Sequence, residues 1–273
     1  MYRDININTF DLNNIKDDST ILLIAKRNSG KSWLVRDIIY TKNKSNIPAI
    51  VCIAPTDKLN HFYSDFIPDS YIYYSYNGHI LEKIFKRQES LIKENNERKK
   101  QNKKLIDPRL ILIMDDCLST KSTWAKDQNI TEMLQNGRHY HITFILTMQY
   151  SLGISPDLRS QFDLVFLLSE DFITNQKRLF EHYCGYFKTF DEFRKIFNRI
   201  TEDYGTLVIN TQSREKEIEK KLFWYKAKPI TNFKFGSKQF IDFHKKNFDK
   251  NWSKEKSNVV QINDNTFLKL KNT

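Results

Sequence analysis

Eight residues near the start of the chain, Ala25-Lys26-Arg27-Asn28-Ser29-Gly30-Lys31-Ser32, constrain the fold more than any other stretch. They fit the phosphate-cradling P-loop, in which Gly-Lys-Ser closes a short loop and opens a helix. Backbone N–H groups of such a loop and the positive end of the helix surround a phosphate chain. Lys31 can reach the outer phosphates, and the Ser32 hydroxyl can hold Mg²⁺. The flanking sequence has the order this geometry needs. Thr20 to Ile24 is a short apolar, β-branched run that reads as a buried strand, and Trp33 to Tyr40 carries apolar residues at helical spacing. Asn28, Ser29, Gly30, Lys31, Ser32 and Trp33 are therefore the expected nucleotide-binding residues. The competing reading is an ordinary Ser-Gly turn, and Ala25 stands where Gly is commoner.

The second half of the chemistry should be an acid at the end of a neighbouring strand. Leu110-Ile111-Leu112-Ile113-Met114-Asp115-Asp116 has this Walker B form. Its apolar run suits a central parallel strand buried on both faces, whose carboxyl end is where open α/β sheets bind ligands. Asp115, with Ser32, is the expected Mg²⁺ ligand. Asp116 occupies the place where many ATPases carry Glu, so it could polarise an attacking water. Two acids also cap turns well, which is the alternative.

A third apolar run, Ile142 to Thr147, ends at Met148-Gln149 and follows Asn136-Gly137-Arg138-His139-Tyr140-His141. Gln149, at the carboxyl end, lies on the nucleotide side and could meet a terminal phosphate or the lytic water. Arg138, at the opposite end, cannot serve its own site but could face a neighbouring subunit's, where a trans arginine neutralises developing charge. Otherwise Arg138 is a surface residue after a helix-ending Gly137.

These motifs together, Lys-Arg-Asn-Ser-Gly-Lys-Ser, the Asp-Asp ending, Arg-His before the fourth core strand and Thr-x-Gln after it, resemble the FtsK–HerA superfamily of P-loop ATPases. Within it the chain is similar to the poxvirus-type genome-packaging ATPases of nucleocytoplasmic large DNA viruses, over roughly residues 18 to 212. The resemblance implies a ring-forming motor that uses ATP and Mg²⁺ to move double-stranded DNA into a capsid. A capsid or portal component would be its partner, and the host cytoplasm at the assembly site, or the virion, its location. It also implies a sensor role for Gln149 and an arginine-finger role for Arg138, making Lys31, Asp116, Gln149 and Arg138 the catalytic set. Ala25 and Asp116 depart from the broader superfamily, the latter in a way common in the viral branch.

Composition agrees with a soluble protein of a reducing compartment. No apolar run approaches the roughly 20 residues that cross a bilayer, and Met1-Tyr2-Arg3-Asp4 opens no signal peptide. Cys52, Cys117 and Cys184 are too scattered for a disulfide framework or zinc site, and no His spacing suggests a metal beyond Mg²⁺. Of the net charge of +11, residues 213–273 contribute +8, with aromatics alternating with bases from Phe223 to Lys246. That segment is either a DNA contact or a docking or solvated tail. Lys83 to Lys104 reads as a long basic helix, a solvated surface or a DNA-lining element.

The expected fold is α/β: a P-loop NTPase with a mainly parallel sheet sandwiched by helices, and a basic, aromatic-rich C-terminal appendage. The expected division is 1–212 for the ATPase domain and 213–273 for the basic segment. A GTP switch lacks its Asn-Lys-x-Asp tetrad. A small-molecule kinase and a nucleotide-gated assembly module with little hydrolysis are the remaining alternatives.

Overall fold

The computed structural model describes residues 6–117, 126–150, 154–215 and 217–249, with the backbone of 259–263 and 266–269. The first residues, including Met1 to Asp4, and most of the chain after 249 lie outside the described set.

Asn8–Thr9 (β1) precedes the wholly buried Thr20–Ile24 (β2). After the P-loop come Lys31–Asn43 (α1), Ala49–Ile53 (β3), Ile72–Tyr73 (β4) and the long helix Gly78–Lys100 (α2). Leu110–Met114 (β5), Gln128–Asn136 (α3), Ile142–Met148 (β6) and Leu164–Leu167 (β7) complete the central part. Two helices, Ile173–Tyr183 (α4) and Phe190–Ile200 (α5), lead to Gly205–Asn210 (β8), Leu222–Lys226 (β9) and Lys238–Asn247 (α6). A separate antiparallel hairpin, Val259–Asn263 with Thr266–Lys269, follows.

One nine-stranded sheet has the order β1-β9-β8-β7-β2-β6-β5-β3-β4. It is mainly parallel, as expected, but mixed: β8 runs antiparallel to both β7 and β9. The connection explains this. The strand-to-strand link after β7 holds two helices in succession, which return the chain to the carboxyl edge it left, so the next strand must run back down.

Period-two alternation along β2 divides the core. Ile21 and Leu23 join Leu34, Val35 and Ile38 of α1 on one face, while Leu22 and Ile24 join Leu81 and Ile84 of α2 and Phe193 and Phe197 of α5 on the other. Each such side chain, fully buried, contributes about 1.5–3 kcal/mol.

Described residues of the stretch that composition marks as an appendage pack on the body. β9 pairs with β8 and β1 inside the sheet, and Phe235 is fully buried. In α6, Phe240 stacks on Tyr71 with ring centroids 3.8 Å apart, and His244 Nδ1 lies 2.8 Å from Ser70 Oγ.

The basic stretch expected as a helix over Lys83 to Lys104 is helical from Gly78 to Lys100 and leaves the helix at Gln101. α2 is capped by Asn77, whose side chain accepts from the His79 N–H at 3.0 Å. Its 23 residues span about 34 Å. Burial ends at Gln88, which donates to the carbonyls of Pro108 and Tyr140 at the amino edge of the sheet. Residues 89–104 therefore project past that edge. The returning chain is held there by Asn95, which exchanges two 2.8 Å hydrogen bonds with the backbone of Ile106.

Candidate active site

Seven segments meet at the carboxyl edge of the sheet and line one cleft of about 880 Å³: the P-loop, Thr56 to Phe62 after β3, the acids after β5, Gln149 after β6, Leu168 after β7, the turn into β8, and residues 226–229 after β9. The topology brings them there. Strands β2, β5, β6 and β9 end at this edge, whereas the reversed β8 begins at it.

The P-loop takes the shape its residues permit. Asn28 and Gly30 have φ of 60° and 88°. A Cβ on Gly30 would also come within 3.3 Å of the Tyr204 ring, so this position needs glycine for both conformation and space. Ser29 Oγ donates to the Lys26 carbonyl at 2.7 Å and pins the loop. No side chain caps the first turn of α1, which leaves its N–H groups available to an anion. Lys26 pairs with Asp171 at the rim.

Lys31 lies 3.5 Å from Asp115 across the cleft floor. Asp115 is itself buried, and its N–H donates to the Ile53 carbonyl at 2.9 Å. Thr147, on β6, unites the two acids: its hydroxyl donates to Asp115 Oδ1 and accepts from the Asp116 N–H at 3.1 Å. Asp116 has φ 52°, a left-handed conformation that turns its side chain toward Gln149. Gln149 Nε2 donates to Asp116 Oδ2 at 2.6 Å, and Asp116 Oδ1 is buried without a hydrogen-bond partner. Nearby, burial together with the charges of Asp115 and Asp116 pushes the Cys117 thiol up to about 12, so it is neutral at ordinary pH and is no nucleophile.

Asn28, Gly30, Lys31, Ser32, Trp33, Asp115, Asp116 and Gln149 thus line the same cleft, and Ser29 supports the loop from beneath. Arg138 does not belong to it. It sits in the turn before β6, at the amino edge, where its side chain is 54% exposed and its guanidinium lies 3.4 Å from Asp163. Three contributions have no signal in the linear motifs. Thr147 ties the acids together. Tyr63 is buried beside Asp115, and burial together with that charge holds its phenol well up. The third is the outer wall of Tyr204 and residues 226–229. The wall is clasped to α1 by Asp37, whose Oδ2 accepts from the Tyr225 hydroxyl at 2.7 Å and the Lys228 N–H at 2.8 Å.

Ser32 and Asp115 suit Mg²⁺. That ion prefers one or two protein oxygens plus substrate phosphates, and no group of three His, Cys, Asp or Glu able to hold a metal occurs among the described residues.

The Poxvirus A32 protein family matches residues 7–166, more than half of the chain. The chain belongs to that family. Among its relatives, uncharacterized protein L437 of Acanthamoeba polyphaga mimivirus is 43% identical over 270 residues, covering 99% of this chain and 94% of that protein. Uncharacterized protein 088R of Invertebrate iridescent virus 3 is 33% identical, covering 80% of each. The fold is similar to that of the genome packaging NTPase B204 from Sulfolobus turreted icosahedral virus 2 in complex with AMPPCP. The TM-score is 0.53 at 18% identity, covering 79% of this chain and all of that one. No helix among the described residues is long and apolar enough to cross a membrane.

Proposed function

We propose that this chain is the ATP-hydrolysing motor that moves double-stranded viral DNA into a capsid, acting as an oligomeric ring. The observation that carries the reading is the pairing of Asp116 with Gln149. One carboxylate oxygen is fixed by the amide, the other is buried and unpaired, and both acids stand over a P-loop whose Lys31 faces Asp115. This is an arrangement for polarising water next to a phosphate chain rather than for receiving a substrate hydroxyl. Lys31 and the N–H groups of α1 bind phosphate charge, Asp116 takes the proton from water, and Gln149 orients the acid. Ser32 and Asp115 would hold Mg²⁺, which when bound offsets charge on the phosphates.

The family and the packaging NTPase fold support viral genome packaging as the task. The projecting tip of α2, with Arg98, Lys99 and Lys100, and the turn after it, with Lys103 and Lys104, support contact with DNA phosphates. The exposure of Arg138 at the edge remote from its own cleft supports a neighbouring subunit as its target. A capsid or portal component would receive the motor in the infected cell or the virion.

Turnover of ATP by the full chain, with and without duplex DNA, tests the reading. Hydrolysis that rises with DNA and disappears in Lys31→Ala is expected. Tight ATP binding with no turnover under either condition would make the protein a nucleotide-gated assembly module instead.

A further inference from the structure

The phosphate-facing half of the cleft is accounted for by the P-loop and the acids; the opposite half, beyond Gly30, is built from residues with no assigned task. Its floor is a turn under strain. Asp203 and Tyr204, neither a glycine, take φ of 48° and 62° in succession, a conformation that costs on the order of 1 kcal/mol or more at each. The next residue holds the turn in place. A Cβ on Gly205 would fall 1.9 Å from the Ile200 carbonyl oxygen, so the backbone is pressed against the end of α5. Lys226 pairs with Asp203 and ties the turn to the end of β9.

All of this presents one side chain. Tyr204 extends beside Gly30, 60% exposed, and lines the cleft next to the clasped segment 226–229. Trp33 and Phe62, the other aromatics of the cleft, are already engaged with each other, edge to face at 5.6 Å, and the Arg36 guanidinium lies 5.5 Å from each ring centroid.

We propose that Tyr204 is the platform on which the nucleobase of the bound nucleotide stacks, with residues 226–229 continuing the same wall beside it. This rests on the nucleotide reading of the cleft. Phosphates on the P-loop, running toward Asp116 on the β6 side, leave the base on the β8–β9 side, and the open face there is Tyr204. An aromatic face accepts any base, and removing such a stack weakens binding by about tenfold or more. Strain in the turn positions the ring without any hydrogen bond from its hydroxyl.

The test compares ATP with inorganic tripolyphosphate, which carries the phosphate chain and no base, by calorimetric titration of the full chain with Mg²⁺. Tyr204→Gly removes the ring and suits φ above zero, so it relieves strain rather than adding it. Tyr204→Trp restores a stacking face. We expect ATP to bind wild type more tightly than tripolyphosphate, Tyr204→Gly to raise the Kd for ATP about tenfold or more with the tripolyphosphate Kd unchanged, and Tyr204→Trp to recover ATP affinity. Equal losses for both ligands would overturn the proposal and make the ring a prop for Gly30. An ATP-specific loss in Trp33→Ala with none in Tyr204→Gly would overturn it in favour of Trp33. Wild type binding neither ligand would instead remove the nucleotide reading itself.

Discussion

Gln149 donates a 2.6 Å hydrogen bond to Asp116 although the two residues end different strands, β6 and β5. Adjacent parallel strands ending at one edge bring their following residues together, and the left-handed backbone of Asp116 completes the approach. The acid that would activate water is therefore held by a residue that would sense the phosphate.

From that pairing, Asp116→Asn should keep ATP affinity within about threefold while turnover falls by about 10²-fold or more, the usual worth of a positioned base. Gln149→Ala should lower kcat with little change in KM. Binding and single-turnover assays separate the two quantities. Wild-type turnover in Asp116→Asn would assign the base elsewhere.

Thr147 is buried and its hydroxyl is shared between Asp115 and the Asp116 N–H. Thr147→Val keeps the shape, leaves the Asp116 N–H unsatisfied and leaves Asp115 Oδ1 to Lys31, at a cost of about 1–3 kcal/mol. We expect a lower melting temperature and a higher Mg²⁺ concentration for half-maximal turnover. A variant equal to wild type in both would show the hydroxyl to be dispensable.

Replacing Lys99, Lys100, Lys103 and Lys104 by Gln should flatten the salt dependence of DNA-stimulated turnover, by about 0.9 in logarithmic slope for each DNA phosphate no longer neutralised. Basal turnover should move little, since the α2 tip lies past the edge opposite the cleft. Deleting residues from 213 onward is a poor substitute for this experiment, because it removes β9 from the sheet. An unchanged slope would shift the DNA-binding surface elsewhere on the molecule.

Arg138→Ala should bind ATP and assemble yet hydrolyse poorly, whereas Lys31→Ala should fail to bind. Mixing the two should restore part of the turnover, because some interfaces then join an intact P-loop to an intact Arg138. A co-assembled mixture no more active than its parts would leave Arg138 as the partner of Asp163 only.

At the amino edge, burial pushes the Asp17 carboxyl up, but Lys42 and Arg109 outweigh it and leave it below the ordinary value; Asp107 is lowered in the same way by Arg109. Depressed carboxylates add stability that is present above the ordinary carboxylate range and is lost as pH falls through their folded values. Arg109→Gln should therefore destabilise by about 1 kcal/mol or less at pH near 7. The gap should narrow below about pH 4, toward what the Arg109 hydrogen bond to the Ser45 carbonyl contributes. Denaturant melts at the two pH values measure it, and a constant gap would count against the charge account.

The central strands were legible because strands buried on both faces are continuous apolar runs: β2 and β5 match their runs residue for residue, and β6 extends its run by one. The P-loop, the acids and Gln149 were legible because each lies next to such a run. β1, two residues long, carries no period to read. β9 hides as Leu-Phe-Trp-Tyr-Lys among lysines, although Leu222 and Tyr225 are buried. The direction of β8 is written in no residue of its own and follows from the two helices before it. Tyr204 gave no sign of itself, because its place depends on a strained turn and a carbonyl pressed on Gly205.

The Asp37 clasp also sets an order of events during synthesis. Every phosphate-binding motif leaves the ribosome well before Tyr225 and Lys228, the two residues that Asp37 must grasp to fix the outer wall. A nascent chain halted ahead of Leu222 would carry a P-loop, both acids and Gln149, and still present a cleft open along one side. The cleft of the newly made protein gains its outer wall only when β9 docks.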